Sequence, residues 1–252
     1  MTTDPLLLRA RALKLYGTIA HWEEICETNW IEGLIGWEEM ERSHRGLELR
    51  LKNARIGRFK ALAHFDWHWP KKCDREAIDE LMQLEFLKEA TNIVLCGPNG
   101  VGKSTIACNI AHQAVLNGHA VLFTTAGHML NDLASQDGDN ALRRRIKYYT
   151  HPVLLIVDEV GYLSYSNRHA DLLFEIISRR YQTKSTVITT NKPFAEWGEI
   201  FPNASCVVSL IDRLVHNSEI INIEAESFRL KEAKEKDSTR KKARSKEKIS
   251  IN

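Results

Sequence analysis

The sequence predicts an α/β protein, a parallel β-sheet flanked by helices and preceded by a small helical domain. From Asn92 onward, short β-rich runs alternate with helical stretches, the pattern of βαβ units. A glycine-rich octapeptide sits between the first of those runs and a helix. Residues 6–64, by contrast, mix apolar positions such as Leu13, Ile19, Trp22, Leu34, Trp37 and Met40 among charges, without strand-like alternation.

Taken in order, residues 1–64 form the helical domain. Phe65 to Pro70 and the charged stretch Lys71 to Arg75 form a joint, followed by a helix over Glu76 to Lys88. The larger domain spans 65–230. Its strands are expected at Asn92 to Cys96, Ala120 to Thr124, Val153 to Asp158, Thr186 to Thr190 and Ile220 to Ile223. Helices fall at Lys103 to Leu116, stopped by Asn117-Gly118 as a left-handed cap, and at Ala170 to Tyr181. From Arg229 to Lys248 ten Lys or Arg face four acids, so residues 231–252 read as a basic, disordered tail.

Bulk composition narrows the function classes. With 43% hydrophobic and 27% charged residues over 252 positions, the chain has the make-up of a globular protein, not a disordered one. No run approaches the ~20 apolar residues of a membrane span. Met1-Thr2-Thr3-Asp4 lacks the regions of a signal peptide, so a cytoplasmic protein without membrane partners is expected. Five separated cysteines with no CxxC pair read as reduced thiols. His64 and His68 share a four-residue spacing, but one such pair supplies only half of a zinc site, and no metal is expected there. Net charge is only +2, so any nucleic-acid surface must come from local clustering.

Gly97-Pro98-Asn99-Gly100-Val101-Gly102-Lys103-Ser104 fits GxxxxGK[ST], with a strand before it and a helix after it. Backbone N–H groups of such a loop curl around phosphates while the helix aims its positive end at the same anion. Lys103 then reaches the β- and γ-phosphates of ATP, the Ser104 hydroxyl ligates Mg2+, and Thr105 donates near the α-phosphate. The apolar run Leu154 to Val157 ends in Asp158 and Glu159. Asp158 suits the magnesium shell; Glu159 is placed to orient or deprotonate an attacking water, which favours hydrolysis over transfer to a small acceptor. Asn191, ending the fourth run, could contact the γ-phosphate or that water; it is also a good turn residue before Lys192-Pro193.

The order of the glycine loop, Leu154 to Leu163 (LLIVDEVGYL), Ile188 to Trp197 (ITTNKPFAEW) and Ile211 to His216 (IDRLVH) resembles the IstB-like insertion-sequence ATPases, AAA+ proteins related to the DnaC helicase loaders. The resemblance extends to Ala12 to Leu15 with the Trp22 region, and to Ser227-Phe228-Arg229. It implies an ATP-dependent homo-oligomer that binds double-stranded DNA and assists the transposase of the same element, with nucleotide held between subunits. A helicase loader with the same ATPase core is the alternative. By position, Lys103 is the Walker A lysine, Asp158 and Glu159 the Walker B acids, and Asn191 the sensor. Arg213 corresponds to the arginine finger and Arg229 to a second sensor. Arg143, Arg144, Arg145 and Lys147 fall where the family resembles an initiator-type insertion that touches DNA; a solvated basic helix face is the alternative. Arg45, Arg50, Arg55 and Arg58 could add sequence-independent phosphate contacts.

Overall fold

The computed structural model describes residues 4–162, 165–201, 205–228 and 230–231. The chain divides into two compact units, Met1–Lys52 and Asn53–Asn252.

The first unit is helical: α1 (Pro5–Ala12), α2 (Tyr16–Ala20), α3 (Trp22–Ile25) and most of α4 (Ile31–Ala54). Asp4 starts it. One carboxylate oxygen caps α1 by accepting from the Leu6 N–H at 2.9 Å, and the other accepts from the Trp22 indole at 3.1 Å. Ala10, Leu13, Ile31 and Ile35 form the buried centre, with Ile19 and Trp22 packed against it. On α4 the core positions are therefore Ile31 and Ile35. Trp37 and Met40, a turn further on, are 67% and 64% exposed.

In the second unit the end of α4 and a 3-10 turn, Leu62–His64, precede α5 (Arg75–Leu81), which Asp74 caps. The helix expected to run to Lys88 stops early because Leu84 adopts φ +65°, which an α-helix does not accommodate; a 3-10 turn, Glu85–Leu87, follows. Next come β1 (Asn92–Cys96), α6 (Lys103–Leu116), β2 (Val121–Thr125), α7 (Ala126–Ala134), α8 (Asp139–Thr150) and β3 (Leu154–Val160). The order continues with α9 (Asn167–Arg180), β4 (Ser185–Thr190), α10 (Trp197–Ile200), α11 (Val207–Val215) and β5 (Ser218–Asn222). The α6 helix ends as expected, with Gly118 at φ +86°: its N–H bonds Val115 and that of His119 bonds Ala114.

The five strands pair in the order β2-β3-β4-β1-β5, every pair parallel. Central strands β1, β3 and β4 are buried along nearly their whole length, as a sheet covered on both faces requires. Even the polar run Ser185 to Thr190 is buried, because it pairs with strands on both sides, its Thr186 N–H donates to the Asn92 side chain, and its hydroxyls find partners. This order brings the carboxyl ends of β1, β4 and β3 side by side, where open parallel sheets bind ligands.

One buried cation closes the opposite end of the sheet. Arg180, 1% exposed, donates to the carbonyls of Tyr149, Thr150, Pro152, Val153 and Ser185 and to the Thr186 hydroxyl. It thereby joins the last turn of α9 to the chain entering β3 and β4.

Candidate active site

The glycine loop leaves β1 and turns at once into α6. Gly102 has φ +104°, and a Cβ there would lie 2.3 Å from the Phe65 ring, so only glycine fits. At Gly100 a Cβ would meet the Ser227 hydroxyl at 2.4 Å, and the Gly100 carbonyl accepts from the Phe228 N–H at 3.0 Å. Pro98 and Asn99 lie exposed at the tip of the loop, whereas Val101 is buried beneath it. Lys103 is 3% exposed, and its ammonium donates to the carbonyls of Gly97 (2.6 Å) and Pro98 (2.7 Å).

Asp158 ties three elements together. Its Oδ1 accepts from the Ser104 hydroxyl at 2.9 Å, at the start of α6, and from the Thr189 hydroxyl on β4. Immediately after it the β3–β4 register slips: Val157 pairs with Ile188 but Val160 with Thr190, so β3 carries one extra residue. That bulge places Glu159 at φ +64°, a left-handed conformation rare for a side chain of this kind. The Glu159 N–H, diverted from the ladder, donates instead to the Thr189 hydroxyl at 2.9 Å. Glu159 lines the same cleft as Gly100 to Thr105.

Asn191 follows β4 and is mostly buried. Its amide Oδ1 is sealed from solvent and accepts no hydrogen bond among the described residues. That oxygen lies 3.3 Å from where a Cβ on Gly161 would stand, two residues after Glu159, and an orphaned polar atom of that kind fits a site built for a polar ligand.

The far side of the cleft is aromatic. Lys60, Phe65, Trp69, Tyr162 and Phe228 line it together with the loop. Asn109 of α6 positions this wall by donating to the Lys60 carbonyl (2.9 Å) and accepting from the Leu62 N–H (2.9 Å). The last described segment closes over it: the Trp69 indole donates to the Glu226 carbonyl at 2.8 Å, and the Trp69 and Phe228 rings meet edge to face at 5.9 Å. Lys231 sits 4.3 Å from the Trp69 ring and pairs with Asp66 at 3.3 Å, which holds the Asp66 carboxyl below its ordinary range. In the sequence 65–70 reads only as a joint, so neither this wall nor the role of Thr189 is legible there. The sole sequence signal for the wall was the density of aromatics between Phe65 and Trp69.

Loop, acids and orphaned amide fit a magnesium-bound nucleoside triphosphate. The backbone cradle suits phosphates, Ser104 and Asp158 form a hard oxygen donor pair, and the aromatic wall offers a face for a base.

Other expected site residues lie apart from this cluster. Arg213, on α11, donates to the Ser178 hydroxyl and covers the Phe174 ring at 4.6 Å. Among the described residues no carboxylate pairs with it. Arg143, Arg144 and Lys147 are exposed on α8, but Arg145 is turned inward. It ion-pairs with Asp132 and stacks on Tyr148 at 4.4 Å, while the Tyr149 hydroxyl donates to the same carboxylate at 2.5 Å. Arg229 lies outside the described residues, as does the tail from 232. No helix among the described residues is long and apolar enough to cross a membrane.

Comparison with known proteins agrees with this geometry. The family model for IstB-like ATP-binding proteins matches residues 6–236. The ATP-binding protein of insertion sequence IS21 from Pseudomonas aeruginosa is 39% identical over 191 residues, 76% of this chain and 72% of its own. That of insertion sequence IS5376 from Geobacillus stearothermophilus is 33% identical over 213 residues, covering 84% and 85%. In fold, the chain is similar to the crystal structure of DnaI, with a TM-score of 0.55 at 17% identity over 69% of this chain and 92% of that one. It is also similar to the replication initiator DnaA bound to AMPPCP and single-stranded DNA, with a TM-score of 0.52 at 19% identity over 69% and 55%. With its sheet, its glycine loop and these relatives, the chain belongs to the family of IstB-like ATP-binding proteins, on an AAA+ P-loop fold.

Proposed function

We propose that this protein is a magnesium-dependent ATPase whose hydrolytic site is completed by a neighbouring copy. On this reading it works as an ATP-dependent oligomer on double-stranded DNA, assisting the transposase of its own insertion sequence. The observation that carries it is one cleft lined by the glycine loop, Ser104 and Glu159, with Asp158 held against Ser104 at 2.9 Å.

In this reading the loop N–H groups and Lys103 bind the phosphates, with Lys103 exchanging the Gly97 and Pro98 carbonyls for the β- and γ-phosphate oxygens. Thr105 donates toward the α-phosphate. Ser104 and Asp158 hold magnesium, which when bound offsets the charge that builds on the phosphates. Glu159 orients the attacking water and takes its proton, and the Asn191 amide fixes the γ-phosphate or that water. Phe65, Trp69 and Phe228 hold the base.

Arg213 is the residue assigned to a neighbouring subunit's γ-phosphate. Supporting this, its charge is not consumed by Asp212 or any other described carboxylate, as a structural salt bridge would require. Arg143, Arg144 and Lys147 are the proposed DNA contacts, sequence-independent because they offer charge without a base-reading motif. The relatives' place in insertion sequences supports a transposase as partner.

The test is electron microscopy and light scattering of the Glu159→Gln protein with ATP, magnesium and long duplex DNA. An ordered oligomer that disperses when ATP is replaced by ADP supports the proposal. A protein that stays monomeric under all these conditions refutes its oligomeric part.

A further inference from the structure

We infer that Thr189 is a positioning residue whose single hydroxyl holds both acids, fixing Asp158 for the cation and Glu159 for the water. The inference rests on the ATPase reading above and deepens it.

Three observations lead there. The Thr189 hydroxyl is fully directed, donating its proton to Asp158 Oδ1 and accepting from the Glu159 N–H at 2.9 Å. Thr189 itself is 0% exposed, so no water substitutes for it without repacking. Finally, the backbone it supports is strained: Glu159 occupies φ +64° at the β3 bulge, and such conformations persist only where surrounding groups over-determine them.

Directionality makes one oxygen sufficient. Because the hydroxyl proton points at Asp158, a lone pair faces the displaced N–H, and the two acids are locked relative to each other through an atom of the neighbouring strand. Ser104 approaches the same Oδ1 from α6, so the carboxylate is fixed from two sides. Valine at 189 would keep the shape and the strand preference but leave the part-buried Glu159 N–H without its partner and the Asp158 carboxylate held from the Ser104 side alone. Glu159 could then relax toward an ordinary strand conformation and aim elsewhere.

The experiment compares wild type with Thr189→Val, Thr189→Ala and Thr189→Ser by fluorescence of N-methylanthraniloyl-ATP, titrated with magnesium and in EDTA, beside steady-state ATP turnover. For both hydroxyl-less variants we expect affinity in EDTA within about 2-fold of wild type, a magnesium half-saturation raised about 10-fold or more, and kcat lowered roughly 30-fold. Ser should restore both magnesium dependence and kcat to within about 3-fold of wild type. Wild-type magnesium dependence and turnover in Val or Ala would overturn the inference. So would equal impairment of Ser, which would mean that the methyl and not the hydroxyl matters. If Val does not fold, Ala against Ser makes the same comparison. Should the wild type bind magnesium and nucleotide without turnover, the hydrolysis reading fails, while the magnesium half-saturation still decides the role of Thr189.

Discussion

The hydroxyl of Ser104 donates to Asp158 Oδ1 across 2.9 Å, joining the first turn of α6 to the end of β3. These two groups come from segments 54 residues apart and meet only because β1 and β3 flank β4 in a parallel sheet.

If that pair holds magnesium, removing either oxygen should uncouple cation from nucleotide. Ser104→Ala and Asp158→Asn are each expected to weaken nucleotide binding at least about 10-fold in magnesium and hardly at all in EDTA. Stripping magnesium from the wild type should reproduce the variants' affinity. Isothermal titration with and without the metal measures both.

Basic residues of α8 should separate into two kinds. Replacing Arg143 and Lys147 by Ala is expected to flatten the plot of log affinity for duplex DNA against log salt by about two, with melting unchanged. Arg145→Ala should instead lower the melting temperature, since it breaks the contacts with Asp132 and Tyr148. A melting change from the first pair and none from Arg145 would reverse the assignment.

Asp132 should contribute a pH-dependent share of stability. Burial pushes its carboxyl up, but the Tyr149 hydroxyl and the Arg145 guanidinium outweigh that and hold it below the ordinary range. A carboxyl depressed in the fold stabilises fully above its unfolded value, near about 3.9, and loses that contribution as pH falls through the folded value. The stability gap between wild type and Asp132→Asn should therefore be constant from neutrality to about pH 5 and shrink below about pH 4. Melting curves across that range test it.

Arg180→Met should cost about 3–5 kcal/mol, because five carbonyls and a hydroxyl lose the Arg180 donor at once inside the fold, with Thr150 keeping a second donor in Lys184. For a chain of this size that corresponds to a fall of roughly 10 °C in Tm. Urea denaturation with an unchanged slope would confirm that stability alone moved.

Much of the sheet is legible in the sequence. Asn92 to Cys96 and Lys103 to Leu116 match the observed elements, since an apolar run, a glycine loop and a clean C-cap mark their ends locally. The β3 bulge could not be read: the strand is expected to end at Asp158 but runs on to Val160, and the slip arises from pairing with β4. Thr189 was hidden among Thr186, Thr189 and Thr190, equivalent in sequence and distinguished only by what each faces. The aromatic wall depends on Trp69 meeting Glu226 and Phe228, contacts some 157 positions away for the first of these. Arg145 was within reach of periodicity. Lying three positions after Leu142 and four before Tyr149, it shares their inward face, whereas the run Arg143-Arg144-Arg145 suggested one continuous basic patch.

The most direct test of a site shared between copies is complementation by mixing. Arg213→Ala subunits keep their own loop but offer no finger, and Lys103→Ala subunits offer a finger but cannot use their own loop. Each alone should fall below about 1% of wild-type ATP turnover with magnesium and duplex DNA. Mixed, they should regain turnover, because interfaces pairing an intact loop with an intact Arg213 reappear. If the mixture stays as inactive as its components, or if Arg213→Ala alone turns over ATP like the wild type, the active site is not shared in this way.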